Sequence, residues 1–70
     1  MTIKDIINEQ NNQGVVNVYT IDAGEEDFFW DCYTWYAGEW YTEGYENVLN
    51  KHVYQMYPGA TGALMIEVLR

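Results

Sequence analysis

Apolar residues recur along this chain first at helical spacing and then in alternation, and the switches between the two periods divide it into elements. Ile3, Ile6 and Ile7 fall on one helical face, Thr2 and Asp5 stand at capping-box spacing, and the polar run Asn11, Asn12, Gln13 closes on Gly14. This predicts a short first helix. Val15 to Ile21 is rich in β-branched residues and runs into Asp22, Ala23, Gly24, the pattern of a strand entering a turn.

Phe28 to Tyr41 fits two periods. Phe29, Cys32, Tyr33, Tyr36 and Trp40 make a helix face, whereas Phe28, Trp30 and Cys32 alternate against Phe29, Asp31, Tyr33 and Trp35. Aromatic enrichment and Gly38 favour the strand. A second strand from Phe28 to Tyr36 then pairs with the first across the loop from Asp22 to Asp27. Ala37 and Gly38 turn the chain into a short third segment. The register stays open, and a slip of one residue exchanges buried for exposed rings.

From Thr42 the helical period returns. Val48, Leu49, His52, Val53 and Met56 recur at that spacing, with Thr42 as N-cap and Pro58, Gly59 as the stop, which predicts a second helix. Ala63 to Leu69 reads as a last strand, apolar enough for the interior of a sheet. The order α-β-β-(β)-α-β predicts an α+β fold. Its sheet is small, antiparallel or mixed, of three to four strands, with one or two helices on one face, in a single domain spanning residues 1–70.

Charge changes this picture from fold to partner. Between Lys4 and Lys51 stand ten carboxylates and no lysine or arginine, within a net charge of -8. A surface of one sign attracts basic partners and raises their association rates by roughly 10 to 1,000-fold. A hydrophobic content of 49% with 17% aromatic residues excludes a disordered acidic tail. Cys32 is the one cysteine, so no internal disulfide forms, which fits a reducing cytoplasm. Met1 to Gly14 holds no signal-peptide core, and no apolar run spans a membrane. Repulsion from anionic lipid headgroups also disfavours a membrane surface.

Catalytic residue types are scarce. The chain has no serine, one histidine, and one arginine at position 70, so the usual nucleophile, base and charge-clamp constellations cannot be assembled. Cys32 has no cation near it in sequence to activate it and reads as a small core hydrophobe, while His52 reads as a packed residue on the second helix. Asp22, Glu25, Glu26 and Asp27 suggest calcium, yet their spacing departs from the EF-hand loop. A phosphate-binding glycine loop and a cysteine/histidine set for zinc are both missing from the sequence. No residue implies a cofactor, and the expectation is a protein that is not an enzyme.

What carries weight is acids interleaved with rings. Asp22, Glu25, Glu26, Asp27, Asp31, Glu39, Glu43 and Glu46 stand amid an aromatic run in which Trp30, Trp35, Trp40 and Tyr41 are the candidate anchors for a partner. The three tryptophans straddle the Ala37, Gly38 break, so they cannot all be core residues of one alternating strand. Stacked rings also bind single-stranded bases, but such binders supply a positive groove, so direct nucleic-acid binding is disfavoured. The reverse role fits better. A domain of this size is roughly 28 Å across, and one strand of B-DNA carries about eight phosphates over that length. The acids match that charge and would meet the arginines and lysines of a nucleic-acid-binding channel.

In size, charge, lack of paired cysteines and aromatic content, the whole chain resembles the small acidic phage-encoded inhibitors of the anti-CRISPR and anti-restriction type. That resemblance implies a phage protein in the host cytoplasm, no enzymatic activity, and a basic nucleic-acid-binding enzyme or nucleoprotein complex as target. No functional residue is carried over with it. Two other readings stand beside this one: a self-associating structural or regulatory domain whose rings cover a homodimer contact, and an aromatic cage gripping a lysine-rich or methylated peptide.

Overall fold

The computed structural model describes residues 1–10, 14–22, 24–59 and 62–70, with the side chains of all but residues 9, 10 and 25–27. The capping box forms as expected. Thr2 donates from both its backbone N–H and its hydroxyl to Asp5 Oδ2, at 3.0 Å each, and the Asp5 N–H returns to Thr2 Oγ1 at 3.4 Å. The backbone hydrogen bond, followed by that from the hydroxyl, holds the Asp5 carboxyl below the usual carboxylate range. Helix α1 runs Ile3–Gln10 and buries Ile3 and Ile6, with Ile7 packed beside them. The polar run Asn11 to Gln13, Ala23, and the Ala60, Thr61 pair of the last loop lie outside the described residues.

Strand β1 (Val15–Asp22) alternates as a strand with one face against the helices must. Val16 and Val18 join Ile3, Ile6, Trp35, Val48, Ile66 and Val68 in the core. Strand β2 (Glu25–Tyr36) pairs antiparallel with β1 and begins before Phe28, so the expected acidic loop contracts to a tight turn containing Gly24. Ala37 and Gly38 turn the chain into β3 (Glu39–Trp40) with φ of 52° and 85°. Positive φ at both central residues matches a type I′ hairpin, whose twist agrees with that of the strands it joins.

The segment from Thr42 to Pro58 departs from expectation. Helix α2 is only Glu46–Leu49, and Val53–Pro58 is a strand, β4, antiparallel to β5 (Leu64–Leu69). Thr42 is not the N-cap; Tyr45 holds that position, and Thr42 Oγ1 accepts the Thr34 N–H at 3.1 Å. The physical reason lies in β5. Its apolar residues place it inside the sheet, parallel to β1, and its other side needs a neighbour to satisfy the backbone. Val53, Tyr54 and Tyr57 have the strand preference that lets β4 supply it. His52 is consequently exposed and bridges to Thr2, while Ile3 N–H donates to Lys51 O and Val53 N–H to Met1 O, both at 3.1 Å.

The result is an α+β fold with a five-stranded mixed sheet in the order β3-β2-β1-β5-β4. The extra strand is β4. Both helices lie on the face bearing Val16, Val18, Ile66 and Val68, and the opposite face carries cross-strand rows. One row is Cys32, Tyr19, Glu67, Gln55; the next is Thr34, Asn17, Met65, Tyr57. Cys32 is exposed there and is not the core residue the sequence suggests, because strand parity turns it away from the helices.

Candidate functional site

The core is aliphatic, and the rings went elsewhere. Of twelve aromatic residues only Trp35 is buried, while seven, Phe28, Phe29, Trp30, Tyr36, Tyr41, Tyr54 and Tyr57, are exposed. Folding does not explain so many rings outside, since each removes about 150 to 250 Å² from water when buried. Five of them, Phe28, Phe29, Trp30, Tyr36 and Tyr41, lie on β2 or beside β3, among the acids.

The charge is segregated in the same way. Asp22, Glu25, Glu26, Asp27, Asp31, Glu39, Glu43 and Glu46 give the stretch from 22 to 46 a charge of -8 with no cation. Outside it, Asp5, Glu9 and Glu67 balance Lys4, Lys51 and Arg70, three against three. In the fold this stretch is one flank of the sheet: the end of β1, then β2, β3 and the approach through α2. Asp31, Glu39, Glu43 and Glu46 are exposed, and Asp22 is half-buried. Glu25, Glu26 and Asp27 are placed by backbone alone, at the start of β2; the calcium expectation rests on their side chains, which lie outside the described residues.

Among the four candidate anchors the structure separates core from surface. Trp35 pairs with Val16 across β1 and β2, is 4% exposed, and belongs to the core; it is no partner contact. Strand alternation is the cause, since Trp35 has the parity of Tyr33 and faces the helices. Trp40, opposite Trp35 on β3, is half-buried and stacks on Tyr45 with centroids 5.1 Å apart and planes 5° from parallel. Tyr41 is 63% exposed and makes a long 3.5 Å contact from its hydroxyl to Glu39 Oε2. Trp30 is 44% exposed.

Trp30 owes its position to a bulge. Thr20 pairs with Asp31 and Ile21 with Phe29, so Trp30 has no partner on β1, and Thr20 Oγ1 accepts the Asp31 N–H at 3.0 Å where the ladder is disturbed. The side chain reaches across the hairpin, where the indole Nε1–H donates to Asp22 Oδ2 at 3.0 Å. Phe28 stands edge-on to it at 4.7 Å between centroids. The Arg70 guanidinium carbon lies 3.4 Å from the ring centroid. Sequence reasoning missed Arg70, because its approach depends on the parallel pairing of β5 with β1, for which the chain carries no local signal.

A further feature is the Glu67 carboxylate, buried on the sheet face away from the helices. Gln55 Nε2 donates to Oε1 at 2.6 Å and Tyr57 OH to Oε2 at 2.8 Å. A depression of about 310 Å³ lined by Lys51, His52, Val53, Tyr54 and Leu69 lies where β4 begins, away from the acidic flank. No helix among the described residues is long and apolar enough to cross a membrane. Comparison of the chain with protein-family models, curated proteins and solved structures finds no match.

Proposed function

We propose that the protein is a non-enzymatic acidic inhibitor that docks its β2–β3 flank on the basic nucleic-acid-binding surface of another protein and blocks it by resembling a phosphate backbone. The observation that carries this reading is the charge division: the flank holds the whole net charge and the rest of the chain is neutral. The longest dimension, 31 Å, corresponds to about nine phosphates along one DNA strand, close to the eight acids of the flank. Exposed Trp30 and Tyr41 supply rigid apolar contacts among those acids, as interface anchors do. A bacterial defence enzyme or nucleoprotein complex of the anti-CRISPR or anti-restriction target class is the fitting partner, met in the cytoplasm of the host.

The test is capture from a bacterial lysate at low and high salt, with Glu39→Lys, Glu43→Lys and Glu46→Lys combined as the comparison. Capture by the native chain falls steeply with salt, the triple variant captures little, and duplex DNA displaces the retained protein. A retained protein that binds DNA and this chain at the same time sinks mimicry.

Self-association is a second reading, favoured by the uncovered sheet face. Phe29 and Leu69, both exposed, flank buried Ile21 there, and Phe29 packs on Tyr19 with centroids 4.6 Å apart. A twofold contact on that face would leave the acidic flank free. Sedimentation velocity at micromolar concentration decides between monomer and dimer.

A further inference from the structure

We infer that the face of Trp30 is a receptor for a guanidinium group of a basic partner, and that Arg70 of the same chain occupies it as an internal stand-in. This rests on the docking reading above and gives it a specific contact. The corner is built from adjacent strands: Asp22 ends β1, Trp30 bulges from β2, and Arg70 follows β5. The indole is held at two places. Asp22 accepts its N–H at 3.0 Å, and Phe28 sets the ring plane from the edge at 77°.

A carboxylate on the indole N–H pushes electron density into the ring and strengthens the attraction of its face for a cation. That face already holds one, at 3.4 Å. The Arg70 backbone is fixed by its N–H to Ile21 O at 2.8 Å, so loss of the side-chain contact does not require the strand to move. Asp22 stands opposite Glu25 at the hairpin end, and Glu26, Asp27 and Asp31 follow along β2, so the two strands that meet here carry five acids against the single charge of Arg70. A partner arginine thus finds an oriented ring in an attractive field, with one exchangeable occupant.

Exchange has a measurable signature. An exposed cation–π contact corresponds to a self-contact favoured about two- to fivefold, and its removal therefore raises the apparent affinity of an external guanidinium about three- to sixfold. The probe is a tetra-arginine amide peptide, read by the Trp30 indole N–H resonance, which is assigned by its loss in Trp30→Leu. Arg70→Ala binds the peptide about three- to sixfold more tightly than the native chain, with that resonance shifting. In a Trp30→Leu background, where peptide binding is followed by isothermal titration calorimetry because the indole is gone, Arg70→Ala gives no gain, and Lys51→Ala, which removes a positive charge elsewhere, gives less than Arg70→Ala.

The inference is overturned by an unmoved indole resonance, by no gain on Arg70→Ala, or by an equal gain without Trp30. The docking reading fails separately. It falls if reversing Glu39, Glu43 and Glu46 leaves partner capture intact, even where Trp30 still takes the peptide.

Discussion

Tyr57 donates its hydroxyl to Glu67 Oε2 at 2.8 Å although it stands opposite Met65, so the contact runs diagonally across the β4–β5 pair. A diagonal neighbour lies about 7 to 8 Å away along the backbone, within reach of a phenol. Gln55, directly opposite Glu67, fills the other carboxylate oxygen. An acid that is only 2% exposed is thereby satisfied on the sheet face away from the core.

That contact sets an alkaline limit. The hydrogen bond to Glu67, then partial burial and the carboxylate charge, push the Tyr57 phenol up to about 12. Because the folded value is raised, the stabilisation is whole below about pH 10, the value of an unfolded tyrosine, and is lost as pH rises through about 12. Urea midpoints measured from pH 9 to 12 should fall for the native chain and change less for Tyr57→Phe. Parallel curves would show that Tyr57 is not the group responsible.

At the opposite end of the pH scale Asp5 acts with the reverse sign. Its carboxyl titrates below the ordinary value of 3.8, so the stabilisation it brings is present above that value and disappears as pH drops through the lowered one. Thr2→Ala removes the hydroxyl donor and leaves the backbone N–H, so it takes away part of this stabilisation. Its helix content by circular dichroism should be lower than native at neutral pH, and the two should converge in acid.

Ala37 stores strain at the hairpin. It is exposed and sits at φ 52°, where an L-residue other than asparagine or aspartate is disfavoured. Ala37→Asn creates the Asn-Gly pair preferred in such turns and should stabilise the fold by about 0.5 to 1 kcal/mol. Ala37→Val should lose a similar amount. A urea midpoint that falls for the asparagine variant contradicts the turn assignment.

Trp35 and Tyr41 should behave oppositely. Emptying the Trp35 site costs about 3 to 5 kcal/mol, much of what a domain of this length possesses at about 0.05 to 0.15 kcal/mol per residue. Trp35→Ala should therefore lose its dispersed amide NMR spectrum, whereas Tyr41→Ala should keep it and lose affinity for the partner instead.

The chain announces those elements whose signals are local. The Thr2, Asp5 box, the β-branched run of β1, the Ala37, Gly38 break and the apolar β5 all appear where the sequence indicates. Val53 and Met56 mislead because residues three apart satisfy a helix, and only pairing with β5, a contact distant in sequence, decides for the strand. The candidate site divides likewise. Its acids are legible from charge, but the roles of Trp30, Trp35 and Trp40 follow from a bulge and from strand parity, neither of which composition records.

The shortness of β3 has its own consequence. It reaches only Trp35 and Tyr36, so among the described residues the rest of β2 borders no further strand. An uncovered margin of backbone donors and acceptors invites another molecule to add on, and growth of that kind ends in fibres. Here Glu25, Glu26, Asp27 and Asp31 guard it by mutual repulsion between copies. Added salt screens that repulsion, so turbidity and thioflavin binding should emerge as ionic strength rises rather than on gentle warming.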